Sequence, residues 1–162
     1  MSVTVHPEES SVDHAQRAGW LRLLALAPGP ALARVAGPVL ADFRFEWLRR
    51  PERGLVMVRA RIGNSGDRFN LGEATITRCA VRHRPQTGVV VAGVGHVLGL
   101  DEARAERVAQ VDALLQVPSL HVLLDDCVLG PLRDELGQRQ RAEKATTEST
   151  RVRFFTLQAE AS

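Results

Sequence analysis

Five histidines, two cysteines and a scatter of carboxylates are the residues of this chain that could do acid–base, nucleophilic or metal chemistry, and their spacing argues against all three. His6, His14, His83, His96 and His121 include no pair two or four residues apart, the separations that set two imidazoles on one face of a strand or helix. Asp125-Asp126 has no second acidic cluster beside it, so no metal site is expected. His121 reads as a residue at a helix boundary. Cys79 and Cys127 stand far apart, one on an expected strand and one on an expected helix, and read as reduced, buried, small hydrophobes. They form no disulfide framework and no zinc spacing. Arg78 adjoins Cys79, but neighbours along a strand point to opposite faces, so it is poorly placed to activate the thiol. The run Gly93-Val94-Gly95-His96-Val97-Leu98-Gly99 lacks both the dinucleotide spacing and the Lys-Ser/Thr ending of a phosphate loop. Its glycines read as a bulge or a close backbone approach within a strand. No Gly-x-Ser-x-Gly elbow is present.

Arg59, Arg61, Glu73, Thr75, Thr77 and Arg78 remain. They belong to the segment 48–81, which reads as two strands around the polar loop Gly63-Asn64-Ser65-Gly66-Asp67. Alternation places Val56, Val58, Ala60 and Ile62 on one face, expected to be core, and Leu55, Met57, Arg59 and Arg61 on the other. Arg59 and Arg61 then project about 7 Å apart, and Glu73 could pair with one of them across the hairpin. Two readings stay open. One is a charged subunit interface, where arginine is favoured. The other is an anion-binding pocket, since guanidinium forks suit phosphate and phosphonate oxygens.

The elements that must carry this hairpin follow from pattern. Residues 1–11 read as a flexible tail, and 12–158 as a single domain. Asp13 can cap a helix to about Ala27 with Trp20, Leu23 and Leu24 inward. A second helix opens at Pro30 and runs to Leu40, with an early break at Gly37-Pro38. Residues 43–49 alternate as a first strand with Phe43, Phe45 and Trp47 on its core face. After the hairpin, residues 84–88 turn and 89–99 form a fourth strand. Asp101 caps a helix to Gln116. A second helix follows Pro118, Gly130-Pro131 ends it and starts another, and that last helix, to about Thr146, is thinly apolar. Residues 150–157 return to strand character, rejoining the sheet or adding to a partner's. The expectation is an α+β fold: a four- to five-stranded antiparallel sheet, N-terminal helices, and a helical segment after the fourth strand.

Composition narrows the class. At 162 residues, 44% hydrophobic and 25% charged, the chain has the make-up of a soluble globular domain. Its 21 basic residues interleave with 19 acidic ones for a net charge of +2, and aromatics are 4%, so nucleic acid is not an expected partner. The most apolar stretch, 89–100, is too short to span a bilayer and contains His96. The N-terminus lacks the basic start and apolar run of a signal peptide, so a cytoplasmic location is the expectation.

The runs RPERGLVMVR and FNLGEATITR are more specific than any periodicity requires. With them, the segment 48–81 resembles the signature of the phosphonate metabolism protein PhnG family, the G subunit of the carbon–phosphorus lyase complex. The resemblance extends more loosely through GHVLGLDEARAERVAQVDALLQ and Pro131-Leu132 to VRFFT near the end. The tail before Asp13 and residues 84–94 lie outside the matching motifs. The resemblance implies a core with subunits H, I and J. With H, I and the ATPase-like subunit L, such a protein is required for forming α-D-ribose 1-methylphosphonate 5-triphosphate from ATP and methylphosphonate, with release of adenine. It implies that nucleosidase chemistry lies in subunit I and the radical step in subunit J, so this chain is expected to scaffold, to bind no cofactor of its own, and to meet ATP only as the complex's substrate. Self-association is compatible with the pattern. Two alternatives are a stand-alone small hydrolase or transferase and a homodimeric binding module.

Overall fold

The computed structural model describes residues 13–63, 66–86 and 88–150. Two helices come first, α1 (His14–Leu26) and α2 (Gly29–Leu40), then three strands, β1 (Phe45–Arg61), β2 (Arg68–His83) and β3 (Val91–Leu98). Helices α3 (Glu102–Leu115) and α4 (Pro118–Leu124), a π-helical turn (Asp125–Leu129) and α5 (Gly130–Ser149) complete the chain. The sheet is an antiparallel meander in the order β1-β2-β3, so the α+β class and strand direction are as expected. Among the described residues the sheet has three strands, fewer than the four or five expected. The expected first strand and the first hairpin strand are one strand of 17 residues. Pro51 does not divide it because β1 is an edge strand and the register slips there: Arg49 pairs with Ala80 and Glu52 with Arg78, leaving Arg50 and Pro51 out of the ladder. The further strand expected over 150–157 lies outside the described residues beyond Thr150.

Local chemistry sets the helix ends. The Asp13 carboxylate accepts from Ala15 N at 3.3 Å, and that of Asp101 from Arg104 N at 2.9 Å, as N-caps do. Pro38 does not break α2; it lies in the last turn, where only one backbone bond is forfeited. Gly130-Pro131 does not separate two helices either. Gly130 has φ −56° and ψ −60°, and its N–H reaches back to the Asp125 carbonyl, so one widened turn absorbs the proline and the helical path continues. Among the described residues no single helix is long and apolar enough to cross a membrane.

The core lies between the inner face of the sheet and α3, and around α3 where α1, α2 and the π-helical turn close over it. Cys79, Val81 and Val97 face Val108, Val111, Leu114 and Leu115, backed by Leu24, Leu32, Leu124, Val128, Leu129 and Leu132. Helix α3 rests on β3 at backbone distance. A Cβ placed on Gly93 would lie 1.9 Å from the Ala109 carbonyl oxygen and 2.5 Å from Ala113 N; one on Gly95 would lie 2.0 Å from the Ala105 carbonyl oxygen. The glycines therefore serve the close approach that their position in a strand implied.

One buried carboxylate locks this contact. Asp112 on α3 is fully buried and accepts from Arg17 Nε (3.1 Å) and Nη2 (2.7 Å), Trp20 Nε1 (2.8 Å) and Val94 N (2.9 Å). The Ala92 carbonyl beside it accepts from Arg17 Nη2 at 3.1 Å and Gln116 Nε2 at 2.8 Å. These side chains occupy the start of β3's outer edge, which would otherwise be a template for strand pairing.

The expectation that Val56, Val58, Ala60 and Ile62 are core is overturned: among the described residues Val58 and Ala60 are only half-buried, Val56 is exposed, and Ile62 is 78% exposed. Phe43 and Phe45 pack at the rim of the core, whereas Trp47 is exposed.

Gly93→Ala is expected to cost about 3 kcal/mol, because the new methyl overlaps helix backbone that cannot yield. Gly19→Ala, where a methyl meets nothing within 4 Å, should instead stabilise α1 by about 0.5–1 kcal/mol. Urea denaturation of both variants checks the pair, and an unchanged midpoint for Gly93→Ala would contradict the backbone contact.

Candidate functional site

Beyond the Ile76–Leu98 pair, β3 ends and β1 and β2 run on alone as a two-stranded ribbon, 54–61 against 68–75. At a strand's rise this extends roughly 25 Å from the body. The ribbon is not polar. Leu55 is 63% exposed, Met57 52% and Leu71 64%, with Val56 and Phe69 also open to solvent. An isolated hairpin is marginally stable in water, and a run of exposed large hydrophobes marks a surface that meets something. Its register shifts between Val58 and Arg59, where Leu71 has no partner residue. Gly72 holds φ +155° at that bulge, a conformation that a side chain would strain.

The candidate residues divide into three groups. Arg59, Arg61, Glu73 and Thr75 are on the ribbon. Arg59 stands opposite Asn70, Glu73 opposite Met57 and Thr75 opposite Leu55, so Glu73 is not cross-strand to either arginine. Arg61 is directly opposite Arg68. Two like charges in a ladder pair are unfavourable, and among the described residues neither guanidinium, nor that of Arg59, has a carboxylate partner. Thr77 is elsewhere: fully buried, its hydroxyl donates to the Gly99 carbonyl at 2.7 Å and accepts from Asp101 N at 3.2 Å, tying β2 to the loop before α3. Arg78 is on the reverse face, where its Nε meets Glu52 Oε1 at 2.6 Å.

That reverse face carries a charge lattice that strand alternation alone did not single out. Glu52 also takes Arg49 at 2.7 Å, and Glu46 takes Arg82 at 2.5 Å and Arg84 at 3.4 Å. The signal was the interleaving of Arg and Glu over 46–53, but pairing it needed the register. The hydrogen bond from Arg82, then its charge, holds the Glu46 carboxyl below the usual range. Glu52 is held down in the same way by the hydrogen bond from Arg49 first and Arg78 second. At the ribbon's base, Arg53 Nε donates to Glu102 Oε1 on α3 at 3.1 Å.

The remaining reactive groups are quiet. Burial, with the charge of Glu106 second, pushes the Cys79 thiol up to about 11, so at neutral pH it is not a thiolate. His121 donates from Nδ1 to the Leu115 carbonyl at 3.0 Å, and its Nε2 accepts from the Gln16 amide at 3.0 Å, so both nitrogens serve the helix boundary. Among the described residues no three His, Cys, Asp or Glu side chains converge in a way that could hold a metal ion.

A fold with a protruding, half-apolar arginine ribbon and no converged reactive centre among its described residues has the features of an assembling subunit. Comparison with known families agrees in kind. The family model described as phosphonate metabolism protein PhnG matches residues 15–159. A curated protein of Rhizobium meliloti (strain 1021), the alpha-D-ribose 1-methylphosphonate 5-triphosphate synthase subunit PhnG, is 41% identical over 143 residues, which is 88% of each chain. This chain belongs to the PhnG family.

The depressed carboxyls give a test. A group whose folded pKa is lowered contributes stability above its ordinary value and loses it as pH falls through the folded value. Carboxyl NMR should therefore find Glu46 and Glu52 titrating below 4.5, and Arg82→Ala should return Glu46 toward that value while leaving Glu52 in place. Unshifted titrations in the native chain would show that the lattice does not form in solution.

Proposed function

We propose that this chain is a non-catalytic, required subunit of α-D-ribose 1-methylphosphonate 5-triphosphate synthase in the carbon–phosphorus lyase system. In this reading it works in the cytoplasm. It supports subunits H, I and L as ATP and methylphosphonate are joined at the ribose C1 and adenine departs, and it contacts subunits I, H and J. ATP is a substrate of the assembly, and this chain carries no cofactor of its own. The family and the relative's name support the assembly; the ribbon supports the manner of it.

The observation that carries the reading is the ribbon itself. It presents Leu55, Met57 and Leu71 to solvent beside Arg59, Arg61 and Arg68, none of which is charge-paired among the described residues. Burying those side chains in a companion would stabilise the complex through the apolar area removed from water, at roughly 25 cal/mol per Å². The facing pair Arg61 and Arg68 would be relieved by carboxylates on the companion. Arg59, Arg61, Glu73 and Thr75 are thus assigned to an interface. Thr77 secures the ribbon's root, and Arg78 braces its back through Glu52.

The test is co-expression with the other subunits. Leu71→Asp and Arg61→Glu should each weaken co-purification by about 30-fold or more, the effect of losing one interface hot spot, while the isolated chain keeps its melting temperature. Cells carrying either variant should lose growth on methylphosphonate as sole phosphorus source. Full assembly by both variants would exclude the ribbon as the interface, and adenine release by the isolated wild-type chain would exclude the non-catalytic reading.

A further inference from the structure

A cavity of about 490 Å³ opens between the β1–β2 end of the sheet and the start of α4, away from the ribbon. Its volume is within the roughly 300–1,000 Å³ of small-molecule sites. His83, the last residue of β2, lines it and is only 6% exposed. The ring is fixed on three sides. Its Nδ1 is 3.0 Å from the Arg44 carbonyl, which can only accept, so Nδ1 carries the proton. Phe43 meets the ring edge-on at 5.6 Å between centroids and Phe45 tilts against it at 5.5 Å. The Nε2 has no hydrogen-bond partner among the described residues. The ring is thus held in one orientation through Nδ1, while Nε2 stays accessible at the cavity and free to meet a ligand in place of water.

The rest of the lining says what that ligand is. Arg44 and Arg84 stand at the mouth, both exposed, and Ser119 adds a hydroxyl. Arg44 has no carboxylate partner among the described residues, and Arg84 is held only by Glu46, at 3.4 Å, a carboxylate that Arg82 already takes at 2.5 Å. Among the described residues of the lining Asp42 is the single acidic one, against the two arginines. Phe43, Val117 and Leu120 supply an apolar wall beside them. A second cavity, beside α1, lacks this character: both nitrogens of its His121 are bonded, and its Arg133 is tied to Asp125 at 2.5 Å.

We propose that this cavity binds a small organic phosphate ester, its oxyanion held by Arg44, Arg84 and the Nε2 of His83, and its organic part against Phe43 and Leu120. Guanidinium forks match the phosphate oxygens. Nε2, as the unprotonated nitrogen, accepts from the P–OH of a phosphate monoanion. This site stands apart from the interface reading, because the isolated full-length chain is the reagent and no companion is needed.

Calorimetry with phenyl phosphate, inorganic phosphate and benzoate tests it, with ¹⁵N NMR of the histidine side chains as a second readout. Phenyl phosphate should bind at least roughly tenfold more tightly than inorganic phosphate and shift the His83 Nε2 resonance. Arg44→Ala and Arg84→Ala, which remove exposed side chains and leave the core intact, should each weaken it by roughly tenfold or more. The proposal is overturned if both variants bind as wild type, if the His83 signal stays still, or if benzoate binds more tightly than phenyl phosphate. It is overturned equally if inorganic phosphate binds no better than chloride, an adventitious ion only.

Discussion

A helix can lie on a strand at backbone distance only where neither brings side chains into the gap. In this protein that condition is met by Gly93 and Gly95 on β3 against Ala105, Ala109 and Ala113 on α3. The rest of the body is arranged around the contact. With α3 seated so low, Asp112 reaches the edge of β3 and gathers the N–H of Val94, the indole of Trp20 and the guanidinium of Arg17. One carboxylate thereby joins α1, α3 and the sheet. A buried charge costs several kcal/mol unless it is fully paired, and here both oxygens are engaged, so the three elements hold one mutual arrangement or lose the site together.

The same contact explains why the sheet stays small. On one side, the start of the β3 edge is occupied by Asp112, Arg17 and Gln116. On the other, β1 is interrupted by Pro51 and two register slips around it. Neither edge is a flat template of free N–H and C=O groups. What is left open is the ribbon, which leaves the body where β3 stops. The chain separates a self-sufficient core from a projection that cannot bury its own leucines. In this member of the PhnG family, the body closes its own core while the apolar side chains of the ribbon stay exposed among the described residues.

Much of this could be read from residue order. The α+β class, the meander, the caps at Asp13 and Asp101 and the close approach at Gly93 and Gly95 all follow from local rules about spacing, capping and glycine. What could not be read depends on where the body ends. Alternation correctly divides Val56 and Val58 from Leu55 and Met57, but it cannot say whether anything covers either face, and among the described residues neither face is buried. Pro51 looks like a strand break until the strand is known to be an edge with a bulge. Glu73 opposite Arg59 or Arg61 was a matter of register, and the observed register sets Glu73 opposite Met57 and the two arginines opposite Asn70 and Arg68. Asp112 sits at an unremarkable place in a helical pattern; its burial appears only when α1 and β3 arrive from far away in sequence. His83 was one of five scattered histidines, and only the packing of Phe43, Phe45 and the Arg44 carbonyl around it gives it a direction.

The division between a closed body and a dependent ribbon is tested most directly by amide hydrogen exchange on the free chain and on the chain co-purified with its companion subunits. Amides in 54–61 and 68–75 should exchange rapidly in the free chain and become strongly protected in the complex, while those of α3 and β3 are slow and equal in both. Equal protection of the ribbon in the two states, or protection gained in α3 and β3 instead, would contradict the account.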